Sequence, residues 1–431
     1  MHCGPADVRN QWDNGFFVMT VRRQRKAKEA ALWVIGKLRA AGHVALLAGG
    51  CVRDMLLKLE PLDYDVATGA TPGEVEKIFP RARTVGAKFG VVLVRKFGCD
   101  IEVATFRTDG AYSDGRRPDE VSFGTDVQDA GRRDFTINGM FYDPEQDRII
   151  DHVGGRADLA ARVLRTIGDP DCRFGEDHLR MLRAVRFAAR FGFKIDTATM
   201  KAVKRLAGKL AMISKERVWL ELRQIITASS RAAGWRLLVD SGLRQHITTD
   251  WRCEPDLDEG VEPRLRALPP HRVDESLAVA TLLHGRTCED VARICRSLKM
   301  SNRLCESATW LVGSLPAVTS ETMLDQADLK LLMANHEWRN LVELLRVDEL
   351  AETGGLEIHG RVCRRAELIP PETVAPAPLL TGDDLLAHGI PQSPQFGRVL
   401  KEVYRAQLNG TVVTSAEAMA LAGSLIAADN A

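Results

Sequence analysis

The chain has 431 residues, of which 45% are hydrophobic and 27% charged, an ordinary composition for a soluble globular protein of two to four domains. No apolar stretch approaches the ~18–20 residues that span a bilayer, and the charge order near the N-terminus is wrong for a signal peptide, so we predict a cytoplasmic protein without a membrane segment. The nine cysteines form no C-x-x-C pair, which indicates neither a zinc site nor a disulfide partner, and the net charge of +1 neither favours nor excludes nucleic acid.

The first predicted elements are a helix, a strand, a glycine turn and a second helix. Apolar side chains at helical spacing predict a helix over residues 22–41, and residues 43–48 have the length and composition of a strand. That run breaks at Gly49 and Gly50, and a helix-compatible segment follows over residues 52–59. Because backbone N–H groups at a helix N-terminus favour anions, this turn predicts a phosphate site.

Two aspartates, Asp63 and Asp65, follow the turn and lead into a predicted strand. Residues two apart on a strand point to the same face, so both carboxylates are expected to face one point, where a divalent cation would relieve their repulsion. The pattern D-x-D alone is weak, because chance supplies about one in a chain of this size. The sequence contains two further pairs, Asp169 with Asp171 and Asp256 with Asp258. We interpret both as structural, because one lies in a predicted turn and the other in a proline-rich loop.

The rest of the first domain alternates helices and strands. A capping box at residues 71–74, with proline at the first helical position, predicts a short helix. Strands are predicted over residues 91–95 and 101–106, with Gly98 between them as a hairpin signal. This alternation, which continues to about residue 142, predicts an α/β head.

A polar segment over residues 107–132 is longer than most connections in a compact domain, so we expect it to be functional or disordered. From residue 158 onward the pattern is helical, with a first strong apolar stripe that Gly192 closes. Further helices are predicted near residues 215–228, 273–283, 289–298, 329–345, 396–408 and 416–427. Proline-rich breaks at residues 254–271 and 369–378 are predicted to be boundaries or surface loops.

One stretch of the chain is strongly basic. Residues 180–223 contain twelve lysines and arginines but three acidic residues. A local basic stretch in a near-neutral protein is a reasonable footprint for a polyanion. Taken alone, however, such a run is more often a solvated helix face.

A second cluster of candidate binding residues contains Arg132, Arg133, Asp134 and Asn138. Two guanidinium groups suit phosphate oxygens, and the acid and the amide can bind ribose hydroxyls or hold the arginines in place. A capped helix or a surface salt-bridge cluster would explain these residues equally well.

A third cluster is Glu-Asp-His-Leu-Arg at residues 176–180, which continues to Arg183 and Arg186. Asp177 and Arg180 are three residues apart, so on a helix they would be neighbours and could form a simple ion pair worth a few tenths of a kcal/mol. Alternatively, a carboxylate acceptor beside a guanidinium donor can match the Watson–Crick edge of a base.

Taken in order, these motifs are similar to those of class II CCA-adding tRNA nucleotidyltransferases and bacterial poly(A) polymerases, within the DNA polymerase β superfamily. The matching residues are 49–54 with 63–65, then 132–138, then 176–180 with 183 and 186. The resemblance is close over residues 44–193 and rests beyond them on the helical pattern. It implies an α+β fold in which an N-terminal nucleotidyltransferase head, a polymerase β-like α/β domain, precedes an all-helical neck, body and tail. The expected ranges are 22–150 for the head, 151–215 for the neck, 216–355 for the body and 356–431 for the tail, with RNA binding in the last two.

The resemblance also implies an activity and a set of site residues. The activity is template-independent addition of C and A residues, from CTP and ATP, to the 3′ acceptor end of tRNA. Two Mg²⁺ ions would be held by Asp63 and Asp65, and Glu102 is preferred over Asp100 as a third catalytic carboxylate. The implied nucleotide-binding residues are Gly49, Gly50, Arg53, Arg132, Arg133, Asp134, Asn138, Asp177, Arg180, Arg183 and Arg186. Within that set, the acid and arginine of the third cluster would read the base.

Two features help to choose within the family. Poly(A) polymerases of this group usually carry a basic pair before the position of Phe89, and Ala87 stands in the first of those places, which favours tRNA end addition. CC-adding forms tend to lack a flexible loop between the catalytic strands and the cluster at Arg132. The corresponding segment of this chain, residues 107–132, is intact. The sequence therefore favours full CCA addition or A addition alone, and leaves these two open.

Functions from other classes are less well supported. A dinucleotide-binding fold would need G-x-G-x-x-G, which the glycine turn lacks, and a non-catalytic RNA-binding protein would not need the paired carboxylates. Some relatives carry a metal-dependent phosphohydrolase domain with a His-Asp dyad. In the similar place here, Gly285 follows His284, so we predict no hydrolase activity and expect His284 to be a buried or capping residue.

Overall fold

The structure is a computed structural model that describes residues 25–85, 90–110, 121–320, 324–390 and 395–429. The first residues of the chain, the position of Ala87 and the centre of the polar segment lie outside the described residues, so the hypotheses that rest on them stay predictions. Contacts divide the chain into two units, Met1–Glu221 with Leu237–Ile247 and Leu222–Arg236 with Thr248–Ala431. The finer division into head, neck, body and tail stays a prediction.

A mixed β-sheet forms the centre of the first unit. The strands are β1 (Ala45–Ala48), β2 (Asp65–Thr68), β3 (Arg83–Thr84), β4 (Val91–Lys96), β5 (Cys99–Thr105), β6 (Arg107–Asp109), β7 (Val121–Phe123), β8 (Met140–Asp143), β9 (Arg148–Asp151), β10 (Val163–Leu164) and β11 (Lys194–Ile195). The seven-stranded sheet has the order β3-β4-β5-β2-β1-β8-β9, and β6 with β7 and β10 with β11 form separate pairs. Within the large sheet β2 and β5 are parallel, and the other neighbours are antiparallel.

Helices surround this sheet and continue along the chain. The helices up to residue 240 are α1 (25–40), α2 (Gly50–Leu56), α3 (Pro72–Ile78), α4 (Asp126–Gly131), α5 (Gly155–Ala161), α6 (Pro170–Glu176), α7 (Arg180–Phe191), α8 (Thr197–Leu206), α9 (Lys215–Thr227) and α10 (Arg231–Asp240). The later helices are α11 (Pro255–Ala267), α12 (Glu275–Leu282), α13 (Cys288–Ser297), α14 (Asn302–Thr319), α15 (Gln326–Met333), α16 (Trp338–Glu352), α17 (Glu357–Glu367), α18 (Gly382–Ala387), α19 (Phe396–Leu408) and α20 (Ser415–Asp429). A sheet-containing head followed by a helical remainder confirms the predicted α+β class.

Local sequence signals explain several of these elements. The capping box before α3 is formed, with Pro72 at the first helical position. The β4–β5 hairpin turns at Phe97 and Gly98, which both have positive φ, as a tight turn between twisted strands requires. Helix α7 buries its apolar stripe and ends at Gly192 in the left-handed conformation. No helix within the described ranges is both long and apolar enough to cross a membrane.

Two predictions about the helical part were wrong. The single helix predicted over residues 329–345 is two helices, α15 and α16, because the Asn335 side chain accepts a hydrogen bond from the Glu337 amide at 2.9 Å and so replaces a helical bond. The proline-rich segment 254–271 is mostly helix α11. Pro255 occupies the first turn, where its missing N–H costs nothing, and burial of the apolar face overrides Pro263 within the helix.

The sheet brings the sequence motifs to one edge. β1 ends at Ala48, which lies opposite Asp65 at the start of β2 in the antiparallel register. The next residue, Gly49, donates its N–H to the Met140 carbonyl of β8 at 3.1 Å. The glycine turn, the D-x-D motif and the segment before β8 therefore converge, although about ninety positions separate them along the chain.

Candidate functional site

Carboxylates from two neighbouring strands lie together at this edge of the sheet. β2 begins at Asp65, so Asp63 is carried by the preceding loop and not by the strand that the sequence predicted. Tyr64 between them is 3% exposed, and the two acidic side chains therefore project away from the core. In the parallel register Val66 lies beside Val103, which puts Asp65 beside Glu102. Asp100, the alternative third carboxylate, lies two residues nearer the start of β5, opposite Arg95.

The charge around Asp65 is unbalanced. Burial, followed by the charges of Glu102 and Asp63, raises the pKa of Asp65 to about 6, while Arg133 acts in the opposite direction. Oxygen ligands with excess negative charge fit Mg²⁺, which is usually held by one or two carboxylates together with water and substrate phosphates. Within the described ranges no group of three or more acidic, histidine or cysteine side chains is close enough to form a complete metal cage. The carboxylates of Asp63 and Asp65 are of the ligand type that Mg²⁺ takes together with substrate phosphates.

Gly49 in the glycine turn has a backbone conformation that favours glycine, and its missing side chain leaves space for a neighbouring group. Gly49 has φ +71°, and a Cβ added there would lie 2.7 Å from Nη1 of Arg133. Its own N–H is already bound to β8, so the predicted phosphate contact of Gly49 does not use that amide. Gly50 opens helix α2. The positive φ favours glycine at this position, and the missing side chain leaves room for the guanidinium of Arg133.

Arg53, predicted to contact the triphosphate, is 4% exposed and already has several partners. Its Nε donates to Asp54 at 2.8 Å, and its Nη1 donates to Asn138. Its guanidinium also lies over the rings of Phe187 and Phe191, with Cζ 5.2 and 4.7 Å from the two centroids. These contacts join α2 to α7 and leave Arg53 little freedom to move.

A buried acid that the sequence analysis did not single out holds Arg132 and Arg133. Asp129, on α4, is 1% exposed. One of its oxygens accepts from Nε and Nη2 of Arg132 at 2.9 and 2.6 Å. The other accepts from Nε and Nη2 of Arg133 at 3.2 and 2.9 Å. Paired forks of this kind fix both the position and the plane of each guanidinium.

Asp134 is saturated with hydrogen bonds. One oxygen accepts from the Phe135 amide and from Nδ2 of Asn138, and the other accepts from Nε and Nη2 of Arg183 at 2.9 and 2.7 Å. Although burial opposes ionisation, Arg183 and Asn138 hold the pKa of Asp134 at about 2. Asp134 is therefore charged at neutral pH, and its acceptor positions are filled by the protein itself.

Asp177 and Arg180 do not form the ion pair that their spacing suggested. Asp177 follows the end of α6 in an extended conformation, and Arg180 begins α7, so the two residues are not on one helix. Asp177 instead accepts from the Leu179 amide at 3.0 Å and from Arg217 of α9 at 2.7 Å. Arg180 pairs with Glu176 and donates to the Arg132 carbonyl at 3.3 Å.

Arg183 and Arg186 share a second acid from α9. Nε of Arg186 donates to Glu221 at 2.6 Å, and Nη1 of Arg183 lies 3.8 Å from the same carboxylate. Arg183 is thus held between Asp134 and Glu221. The basic stretch of the sequence is, in this part, a set of arginines paired with buried or half-buried acids.

These side chains line one polar cleft of about 550 Å³ in the first unit. The predicted site residues along it are Gly49, Gly50, Arg53, Asp63, Asp65, Arg132, Arg133, Asp134, Asn138, Asp177, Arg180, Arg183 and Arg186. Glu102 is not among the lining residues and reaches the site through its position beside Asp65. The cleft also contains residues that the sequence analysis missed: Phe187, Arg190 and Arg217. An arginine-rich cleft with carboxylates at one part of its wall suits a polyphosphate together with a metal ion.

The other motifs are structural within the described residues. Asp169 caps α6, and Asp171 pairs with Arg205. Asp256 and Asp258 lie in the first turn of α11. In the second unit, the half-buried His284 has Nε2 2.8 Å from Asp348, a carboxylate that also accepts from Nε of Arg264. The absence of hydrolase activity stays a prediction.

Family comparisons agree with the motifs. Residues 45–165 match the poly A polymerase head domain, and residues 192–253 match the probable RNA and SrmB-binding site of polymerase A. The CCA-adding enzyme of Geobacillus thermodenitrificans is 34% identical over 393 residues, which are 90% of this chain and 95% of that protein. The CCA-adding enzyme of Latilactobacillus sakei is 37% identical over 69% of this chain and 75% of its own length.

Solved structures give the same result for the fold. The crystal structure of the Bacillus stearothermophilus CCA-adding enzyme in complex with CTP is 29% identical, covers 93% of this chain and 98% of its own, and has a TM-score of 0.76. A CCA-adding enzyme in complex with ATP, 22% identical with a TM-score of 0.69, shares the fold over 94% of this chain and 97% of its own. The chain therefore belongs to the family of CCA-adding tRNA nucleotidyltransferases and bacterial poly(A) polymerases that its motifs resemble.

Proposed function

We propose that this chain adds C and A residues, taken from CTP and ATP, to the 3′ acceptor end of tRNA without a nucleic-acid template. The observation that carries the proposal is the cleft, in which carboxylates suited to Mg²⁺ share one cavity with arginines suited to a triphosphate. Relatives named CCA-adding enzymes align over most of the chain, and one solved relative holds CTP. Both findings support a nucleoside triphosphate as the ligand of this cleft.

Asp63 and Asp65 would hold two Mg²⁺ ions, with Glu102 assisting from β5. When bound, the metal supplies activation of the RNA 3′-hydroxyl and neutralises charge on the triphosphate. A bond forms between the 3′-oxygen and the α-phosphorus, and the bond from that phosphorus to the pyrophosphate breaks, so that pyrophosphate leaves. Sheet hydrogen bonds fix the backbone at Asp65, so its carboxylate is positioned before the substrate arrives.

Arg132 and Arg133 would bind the triphosphate. Asp129 occupies two N–H donors on each guanidinium and leaves further donors on both for phosphate oxygens. Gly49 leaves room for Arg133, and Gly50 opens the helix beside it. Arg53, Asp134 and Asn138 would act by holding neighbouring groups, because their own polar atoms are bound within the protein.

Asp177 and Arg180 would read the base. Two acceptor positions of the Asp177 carboxylate are occupied by Leu179 and Arg217, and a carboxylate has about four, so acceptors remain for an amino group of cytosine or adenine. Arg180 is fixed by Glu176 and supplies donors. Arg183 and Arg186 would support this pair and the phosphates. The basic residues beyond α7 would contact the RNA backbone, with an affinity that falls as salt rises.

Replacing Asp129 with asparagine should raise the KM for CTP and for ATP about tenfold with little change in kcat, because one of two charge-assisted forks is lost and both arginines become less well fixed. Steady-state kinetics with a tRNA that lacks its terminal nucleotides would measure this. Asp126→Asn on the same helix is the matched control, since Asp126 pairs with the half-exposed His152 outside the cleft. An unchanged KM in Asp129→Asn would remove Asp129 from the nucleotide site.

The proposed activity is tested with tRNA transcripts that end before the CCA sequence or after CC, with Mg²⁺ and labelled CTP or ATP, singly and together. Ordered addition of two C residues and one A residue is the expected result. Incorporation of neither nucleotide would overturn the proposal. Use of ATP alone on a CC end would mark an A-adding enzyme, and long A tails on unrelated RNA would mark a poly(A) polymerase.

A further inference from the structure

Three arginines of the cleft lie around a single aromatic ring. The Cζ atoms of Arg186, Arg53 and Arg183 are 4.3, 5.2 and 5.3 Å from the centroid of the Phe187 ring. Phe187 is 5% exposed and lines the cleft. A cation within about 6 Å of a ring centroid is attracted by the negative face of the π system. We refer to this ring and its three arginines as the Phe187 hub.

The three arginines meet at this ring, and the charge of Asp134 also acts on all three. Each arginine is also held at one edge by a carboxylate, and these carboxylates come from separate segments of the first unit. They are Asp54 for Arg53, Asp134 for Arg183 and Glu221 for Arg186. Each of these carboxylates lies against one or two of the guanidinium groups, whereas the ring lies near all three of them. The relative positions of the three cations therefore depend on Phe187.

Phe187 is itself held firmly. Phe135, which is fully buried, meets its ring edge-on with centroids 5.9 Å apart and planes at 82°. Phe191, one helical turn later, stacks on it at 6.2 Å with planes at 11°. Aromatic pairs in these geometries add to the stability that burial provides. The ring can therefore serve as a fixed platform.

An aromatic platform has an advantage over a further acid at this place. The three cations repel one another, and burial lowers the pKa of Arg53 and of Arg186. Another carboxylate would offset this repulsion but would also occupy N–H donors. A π face attracts a guanidinium without using its N–H donors, so the donors of Arg183 and Arg186 that no acid binds stay free for phosphate or base acceptors.

We infer that Phe187 is a positioning residue of the nucleotide site, whose ring face holds Arg53, Arg183 and Arg186 in the arrangement that receives the nucleotide. The inference rests on the proposed function, because it takes the cleft to be the nucleotide site. Phe187 acts through the arginines and does not need to contact the nucleotide.

The experiment replaces Phe187 with phenylalanine analogues that carry one, two or three ring fluorines, which weaken the π face stepwise and change the volume little. The dissociation constant of CTP is measured at equilibrium in metal-free buffer, and the KM for CTP is measured with Mg²⁺. Both constants should rise with each fluorine, to about tenfold for the trifluoro analogue. Thermal unfolding of each protein checks that the fold is unchanged.

Two comparisons make the result specific. The same series at Phe174, a fully buried ring of α6, should leave both constants unchanged. Phe187→Leu, which keeps an apolar side chain without a π face, should match or exceed the trifluoro analogue in its loss of CTP binding. Constants that stay level along the Phe187 series would overturn the inference and leave Phe187 as a packing residue. A wild-type protein that binds CTP but transfers no nucleotide would overturn the proposed function and not the hub.

Discussion

Replacing Asp65 with asparagine should abolish nucleotide transfer and leave the protein folded and able to bind tRNA. Asparagine keeps the size of the side chain but lacks the charge that a divalent cation needs, so the loss is expected in the transition state more than in RNA binding. Several kcal/mol of transition-state stabilisation corresponds to a fall in kcat of at least ~1,000-fold. Single-turnover transfer and a tRNA binding titration on the same preparation would measure the two effects separately.

Stability gives a second readout for the same variant. Because burial and the charges of Glu102 and Asp63 raise the pKa of Asp65 to about 6, the charged carboxylate is less stable at neutral pH in the folded, metal-free protein than in the unfolded chain. A neutral asparagine should therefore raise the free energy of unfolding by up to about 2 kcal/mol in metal-free buffer. Asp256→Asn, at the exposed first aspartate of the D-x-D pair in α11, is the matched control and should change neither transfer nor stability. Substantial transfer by Asp65→Asn would refute the proposed metal role.

Signals that act over a few residues predicted much of the fold. The capping box of α3, the β4–β5 hairpin and the end of α7 at Gly192 each depend on neighbours within about five positions, and the structure has all three. The two errors in the helical part have different causes. Residues 329–345 have a continuous apolar pattern that one Asn335 side chain interrupts, and the prolines of α11 are overridden by burial of its apolar face.

In the candidate site, too, some contacts join residues that are close in the sequence and others join residues that are far apart. The motif residues could be identified because each motif is short. Some of their hydrogen-bonding partners are also close to them in the sequence. Asp129 precedes Arg132 and Arg133 by three and four positions, so helical spacing could have identified it as their partner. Arg217 reaches Asp177 across forty positions, and no local pattern in the sequence predicts that contact. The spacing of Asp177 and Arg180 even suggested the wrong pair, because a chain turn between α6 and α7 separates them.

The acidic partners of the arginines determine how the cleft is arranged. Almost every arginine in it is fixed by an acid outside the D-x-D motif, as Glu176, Asp129 and Glu221 illustrate. Groups fixed before the substrate binds lose little conformational entropy on binding. The charge around Asp65 is different, because burial and the charges of Glu102 and Asp63 raise the pKa of its carboxyl group while Arg133 opposes them. Under the proposed function, the paired charges of the cleft would recognise the nucleotide and these carboxylates would hold the metal.

Asp177→Ala should chiefly damage the choice of base. The variant loses the acceptor proposed to face an amino group of the base, so UTP and GTP should compete better with CTP and ATP, and the ratio of kcat/KM values should fall by about 100-fold or more. Transfer with saturating ATP should fall less, because the carboxylates and the triphosphate arginines are untouched. Separate measurements with the four nucleotides on one tRNA substrate would give the ratios.

The control for this variant lies on the helix before it. Asp171 is half-exposed and pairs with Arg205 outside the cleft, so Asp171→Ala should leave the ratios unchanged. Asp177→Asn adds a sharper comparison, because an amide replaces one acceptor oxygen with a donor group, which should favour the wrong bases more than alanine does. If discrimination among the four nucleotides is the same in Asp177→Ala as in the wild type, Asp177 serves only to anchor Arg217, and the reading of the base must belong to other groups of the cleft.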